Sequence, residues 1–244
     1  MAFGNKTVLI TGASSGIGQA TAFKFAAGNY LIITYRQNQA QCQNTADKCR
    51  QLGAKDVLIL PLDLASDESI EAAIEKAINK FGKIDILINN AGFLVSKNLT
   101  EQSFEEISFQ VKTNLEGLIK ITKLCLPYIK QAIINVGSNL GLIGKRNLSV
   151  YCAAKFGVRG FAKSLAKEMP NLLIYTINPP LTATRMGSLA GIAPEKVAEI
   201  IFNAANGKYR AKSGADINVG DYIYGEFLGK LISFLRLIKG ILKT

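Results

Sequence analysis

Apolar positions along this chain fall into two kinds of run that alternate with each other. Thr7–Ile10, Tyr30–Thr34, Ile84–Ile88, Ile133–Val136 and Leu172–Ile177 are short, β-branched and apolar at nearly every position. That is the pattern of strands buried on both faces, as in a parallel sheet. Between them lie longer stretches whose apolar residues recur every three or four positions. These run from Ile17 through Phe25 and over Ala40–Leu52, Asp67–Phe81, Ser103–Tyr128, Tyr151–Glu168 and Pro194–Asn206, and they predict amphipathic helices. Ser66 with Ser69, and Pro194, read as helix starts; Gly82 and Gly207 read as helix ends. A last short strand is expected near Asp216–Val219. The alternation predicts an α/β fold: one doubly wound parallel sheet in a single domain over residues 1–225.

The turn joining the first strand to the first helix reads Thr11-Gly12-Ala13-Ser14-Ser15-Gly16-Ile17-Gly18. Glycines there let the backbone approach a pyrophosphate, and the helix start aims free N–H groups at negative charge. The spacing is not the common G-x-G-x-x-G, because three residues separate Gly12 from Gly16. Alone, such a segment is only a tight turn; its strand-to-helix setting makes phosphate binding the better reading. At the end of the second strand a carboxylate would bond a ribose 2′-OH, whereas a cation would suit a 2′-phosphate. The chain has Tyr35-Arg36 and no acid until Asp47, which favours NADP(H) over NAD(H). The plain alternative for Arg36 is an ordinary solvated arginine.

Ser138 follows the apolar run ending in Val136-Gly137, so it stands at the C-terminal end of a strand, where open α/β sheets bind ligands. Tyr151 and Lys155 stand four apart on one helix face. A free tyrosine has a pKa of about 10. A neighbouring ammonium is expected to lower it, toward use as a general acid or base, with the serine hydroxyl holding a substrate oxygen. In isolation Y-x-x-x-K is a helix surface pair. Its coincidence with the glycine turn and the strand-end serine points to proton transfer beside a bound dinucleotide.

On these motifs the chain resembles the short-chain dehydrogenase/reductase family in its single-domain form, over essentially residues 5 to 225. Thr11 through Gly18 matches the family's T-G-x-x-x-G-x-G. Asp63-Leu64 matches the acidic position after the third strand, whose neighbourhood contacts adenine. Asn89-Asn90-Ala91-Gly92 matches the N-N-A-G that supports the adenosine side. Asn114 matches a helix asparagine that anchors a water in a proton relay from the lysine. Ser138, Tyr151 and Lys155 match the catalytic serine, the tyrosine acid/base and the lysine that also holds the nicotinamide ribose.

The resemblance implies a Rossmann-type, three-layer α/β/α fold and an NAD(P)-dependent oxidoreductase interconverting a carbonyl and a secondary alcohol, of the carbonyl or 3-oxoacyl reductase kind. It implies cofactor contacts at Gly12, Ser14, Ser15, Gly16, Ile17 and Gly18, at Tyr35 and Arg36, and at Asp63, Leu64, Asn90, Ala91 and Gly92. Further contacts are implied at Tyr151, Lys155, Pro179 and Thr184. It also implies a homodimer or homotetramer built on the Ser103–Tyr128 and Tyr151–Glu168 helices. Two departures stand out. Pro179-Pro180 replaces the usual Pro-Gly, and the 185–193 segment is short for a substrate lid. Apolar pocket walls are read at Phe93, Leu94, Leu142, Ile143 and Met186, which would suit a lipophilic substrate; the plain alternative for these residues is packing. Rival readings are an epimerase or dehydratase on the same scaffold, and a non-catalytic NADP(H)-binding sensor.

Composition narrows this further. Of the 244 residues 48% are hydrophobic, ample for one core. Met1–Lys6 leads straight into the first strand, so no signal peptide and a cytoplasmic setting with reduced thiols are expected. Cys42, Cys49, Cys125 and Cys152 show no metal spacing, and with no histidine a zinc site or a Ser-His-Asp triad is disfavoured; no metal is expected. The net charge of +11 is spread along the chain, which argues against nucleic-acid binding. A positive field would instead attract phosphates or an anionic substrate, including an acyl group on an acidic carrier protein. Residues 226–244 form a basic amphipathic tail: Phe227, Leu231, Phe234 and Ile238 share one helical face, while Arg236, Lys239 and Lys243 take another. It is too short and charged to span a bilayer. Either it packs on the protein or it makes peripheral membrane contact.

Overall fold

The computed structural model describes residues 4–184, 186, 190–223 and 225; the expected tail helix over 226–244 lies outside the described residues. Seven strands, β1 (Thr7–Ile10), β2 (Tyr30–Tyr35), β3 (Asp56–Pro61), β4 (Ile84–Asn89), β5 (Ile129–Val136), β6 (Leu173–Asn178) and β7 (Asp216–Asn218), form one sheet. Every pairing is parallel, in the order β3-β2-β1-β4-β5-β6-β7. The connecting helices are α1 (Gly16–Phe25), α2 (Gln39–Gln51), α3 (Asp67–Phe81), α4 (Phe104–Val111), α5 (Gly117–Cys125), α6 (Ser149–Glu168) and α7 (Pro194–Ala205).

The uniformly apolar strands have a physical cause. Successive side chains of a strand point to opposite faces, and both faces here are covered. Val8 and Ile10 of β1 enter a core closed by Phe25 of α1, Ala46 of α2 and Ile201 of α7. Leu9, between them, enters the other core with Ile74 of α3, Ile121 of α5 and Leu165 of α6. Helix ends follow the expected signals. Ser66 accepts the Ser69 N–H at 3.2 Å, and Gly82 closes α3 in the left-handed region at φ 69°. Pro194 opens α7. No helix among the described residues is long and apolar enough to cross a membrane.

One element departs from expectation. The single helix predicted over Ser103–Tyr128 is instead α4, a π-turn at Lys112–Glu116, α5, and a closing 3-10 turn at Leu126–Tyr128. The Gly117 N–H donates to the carbonyl of Lys112, five residues back. Two contacts hold this wider turn. Gly117 lies so close to the chain after β3 that a Cβ would sit 2.1 Å from the Leu64 carbonyl oxygen. Asn114, inside the turn, is bonded to the segment leaving β4. Phe104 and Val111 of α4 and Phe156 of α6 are exposed.

The sheet order positions the site. Chain direction across the sheet reverses at β1, with β2 on one side and β4 on the other, which opens a crevice at the carboxyl ends of those strands. At the far end α6 is bound to β7. Arg159 donates from Nε and Nη2 to the two Asp216 oxygens, both at 2.8 Å, and from Nη1 to the Gly141 carbonyl at 2.6 Å. Lys163 adds an ion pair to Asp216 at 2.9 Å. Burial alone would raise the Asp216 pKa; the hydrogen bonds from Arg159 and Lys163 reverse that and hold it at about 2. A carboxyl depressed in the folded state stabilises above its unfolded pKa of about 3.9 and loses that contribution as pH falls toward 2. Asp216→Asn is therefore expected to lower the melting temperature at neutral pH and to flatten its fall between about pH 4 and pH 2. Parallel melting curves for the two proteins over that window would contradict the assignment.

Candidate active site

The glycine turn is clamped to the end of β4 before it is available to any ligand. The Thr11 hydroxyl oxygen accepts the N–H groups of Asn90 and Ala91, both at 2.9 Å. The Asn90 amide returns two bonds, to the carbonyls of Thr11 at 2.9 Å and Gly12 at 3.0 Å. Thr34, at the end of β2, holds the other side, taking the Gly12 N–H on its hydroxyl at 3.1 Å and the Ala13 N–H on its carbonyl at 2.9 Å. Gly18 is where α1 crosses this clamp: a Cβ there would stand 2.3 Å from the Gly12 carbonyl oxygen. Beyond the clamp the N–H groups of Ser14, Ser15, Gly16 and Ile17 meet no partner among the described residues, and Ser15 caps α1 without a side-chain bond. Free amides at a helix start, facing a cavity, are what a pyrophosphate requires.

That cavity, of about 660 Å³, joins the glycine turn to the serine, tyrosine and lysine. Ser138 accepts the Leu140 N–H at 3.1 Å, and it lines the cavity together with Tyr151. Lys155 lies one turn on, with Nζ 5.6 Å from the Tyr151 ring centre, and donates to the Val136 carbonyl at 2.8 Å. Tyr151 and Lys155 are both buried, and burial governs both titrations. It pushes the phenol up to about 12 against the lowering effect of Ser138, and pushes the lysine down to about 8. The lowering expected from the ammonium is thus not what this site shows. The amine is turned toward a carbonyl, and burial is the leading cause of the shift of the phenol. Tyr151 keeps its proton at neutral pH. Burial also pushes the thiols of Cys42, Cys49 and Cys125 up to about 12.

The remaining sequence-derived residues divide into those that line the cavity and those behind its wall. Gly12, Ser14, Ser15, Gly16, Ile17, Tyr35, Arg36, Leu64, Asn90, Ala91, Gly92, Pro179 and Thr184 line it together with the serine, tyrosine and lysine. Gly18, Asp63 and Asn114 do not. Asp63 accepts the Ala65 N–H at 2.9 Å, so its carboxylate serves the turn after β3 while its neighbours Leu62 and Leu64 face the cavity. Asn114 is fully enclosed. Its Oδ1 accepts the Phe93 N–H at 3.0 Å, and its Nδ2 donates to the carbonyls of Phe93 at 2.6 Å and Gln110 at 2.8 Å. Of the expected apolar walls, Leu94 and Met186 are present, joined by Leu140 and Leu181. Phe93, Leu142 and Ile143 are not among them; Phe93 turns instead toward Phe109 and Arg36. Pro180 lines the cavity, and its carbonyl accepts the Thr182 hydroxyl at 2.9 Å. Several lining residues went unread in the sequence. Thr34 and Asn38 carry a faint signal as polar residues at a strand end and a helix cap; Lys145 carries none.

The dinucleotide fits these residues: unpaired amides at one end, a buried phenol and amine at the other, and a continuous cavity between them. Known proteins agree. A family model described as short chain dehydrogenase matches residues 6–191. A 3-oxoacyl acyl-carrier-protein reductase of Thermotoga maritima is 33% identical over 200 residues, covering 80% of each chain. A 3-ketoacyl acyl-carrier-protein reductase of Brucella melitensis, solved with NADH, superposes with a TM-score of 0.80 at 28% identity, over 89% of this chain and 98% of its own. A short chain dehydrogenase of Burkholderia cenocepacia, solved with NADP, superposes with a TM-score of 0.84 at 23% identity, over 88% of this chain and 96% of its own. With fold, site and sequence in agreement, this chain belongs to the short-chain dehydrogenase/reductase family of NAD(P)-dependent oxidoreductases.

Proposed function

We propose that this protein is an NADPH-dependent carbonyl reductase in which Ser138, Tyr151 and Lys155 handle the proton. The observation that carries the reading is the convergence of Ser138, Tyr151 and Lys155 on the same cavity as the free amides of the glycine turn. Two adjacent hydroxyls form a site for one carbonyl oxygen, with Ser138 orienting it and Tyr151 donating to it. The phenol carries its proton at neutral pH and can serve as the donor in carbonyl reduction. Bound NADPH would supply the hydride. Lys155 places a positive charge one helical turn from the developing phenolate and, in this reading, also holds the nicotinamide ribose. Asn114 acts behind the wall: both its donors are used on carbonyls, so a relay water bound there would have to use its main chain. Leu94, Leu140, Leu181 and Met186 suit a carbonyl carried on an apolar body.

The preference for NADPH rests on Arg36. It lines the cavity at the end of β2, and no carboxylate pairs with it among the described residues. Replacing Tyr35→Asp together with Arg36→Ala should turn selectivity toward NADH in steady-state kinetics; unchanged selectivity would remove Arg36 from this role.

Tyr151→Phe is expected to leave NADPH binding intact while reducing turnover about 10²-fold or more, the scale of general acid catalysis. Near-normal turnover with a panel of carbonyl compounds would mean that another acid operates. The pH profile is a separate check. Lys155 is charged below about 8 and neutral above it, while Tyr151 stays protonated to about 12. The kcat/KM for carbonyl reduction should therefore fall as pH rises through about 8. A profile flat to pH 10 would separate the rate from the lysine charge.

A further inference from the structure

Arg36 does more than line the cavity. Its guanidinium carbon lies 4.9 Å from the ring centre of Phe109 on α4 and 5.6 Å from that of Phe93, which follows β4. The two rings meet edge to face, with centres 4.9 Å apart and planes at 80°. Neither ring lines the cavity; both line an adjoining concavity against α4. The platform is itself fixed. Asn114 binds both the N–H and the carbonyl of Phe93, and the neighbouring Val95 N–H reaches the Gln110 side chain at 3.1 Å. An exposed side chain is thus held at the cavity rim by rings on two elements other than its own.

We propose that Phe93 and Phe109 are positioning residues for Arg36, an aromatic platform that presents its guanidinium to a ribose 2′-phosphate. The inference rests on the reading of the cavity as an NADP(H) site. With the two ring planes at 80° the guanidinium can lie face-on to only one of them, and the in-plane donors pointing away from the rings can still form a phosphate fork. Arginine otherwise loses much rotamer freedom on binding. A side chain already stacked loses less, and the gain appears only for a ligand that Arg36 touches. The platform should therefore act on the 2′-phosphate and on no other part of the dinucleotide.

The test is titration calorimetry of the full chain with NADP⁺, NAD⁺ and 2′,5′-ADP, the last carrying the 2′-phosphate without nicotinamide. Phe93→Leu and Phe109→Leu are each expected to weaken NADP⁺ and 2′,5′-ADP about two- to fivefold, the scale of one exposed cation–π contact, with NAD⁺ unchanged. Phe109→Tyr, which keeps the ring, should bind all three like the parent protein. Equal weakening of NADP⁺ and NAD⁺ would mark a merely structural role and overturn the proposal. So would unchanged affinities in the leucine variants, or tighter NADP⁺ binding, which would mean that the rings sequester the arginine. Arg36→Ala separates the two levels. If it too leaves NADP⁺ affinity unchanged, the phosphate-binding reading fails with the platform; if it weakens NADP⁺ while the leucine variants do not, the platform alone fails.

Discussion

Everything in the crevice is referred to one junction, the clamp between the glycine turn and the end of β4. Thr11 and Asn90 exchange side-chain bonds across the point where the sheet order reverses, and each satisfies main-chain groups that the end of a strand leaves open. Because those groups are occupied, the amides further round the turn remain free and face outward together. Gly18 lets α1 close down on the clamp, where any larger residue would collide with the Gly12 carbonyl. The free amides of the turn thus stand beside main-chain groups of Thr11, Gly12, Asn90 and Ala91 that are already paired.

At the other end of the cavity, desolvation decides the chemistry. Placing a tyrosine and a lysine four residues apart suggests an ion-pair-like coupling, but burial is the leading cause of both shifts. The result is a phenol that holds its proton and an amine that gives one up more readily than in water. Burial in the two cores likewise pushes up the thiols of Cys42, Cys49 and Cys125.

Much of this was legible in the linear chain. Apolar runs marked the strands because both faces of the sheet are covered, and the glycine turn declared itself through its flanking strand and helix. Ser138, Tyr151 and Lys155 were readable because fixed spacing on a strand end and a helix face brings them to one place. What escaped is set by three-dimensional partners. Asp63 reads as a ligand contact, and the fold also sets one of its carboxylate oxygens on the Ala65 N–H of its own turn. Phe93 reads as a substrate wall yet faces Arg36, because Asn114 and Phe109 lie on a helix that its local sequence does not announce. The direction of the Tyr151 shift depends on how much water the fold excludes, which spacing does not encode.

The π-turn also has a metrical consequence. Gln110, Asn114, Leu118 and Thr122 are spaced by four, and all are buried. In a regular α-helix a row spaced by four precesses about 40° at each step, so its ends would diverge by about 120°. Widening one turn slows that precession and straightens the row. Along it, Thr122 meets Asn89, Asn114 meets Phe93 and Gln110 meets Val95. Four helical residues advance about 6 Å, and two residues of extended chain advance about 6.6 Å. Helix and departing strand therefore run past each other like two rulers with nearly commensurate marks, and the segment that begins as cavity floor at Asn90 is measured off, bond by bond, to the ring beneath Arg36.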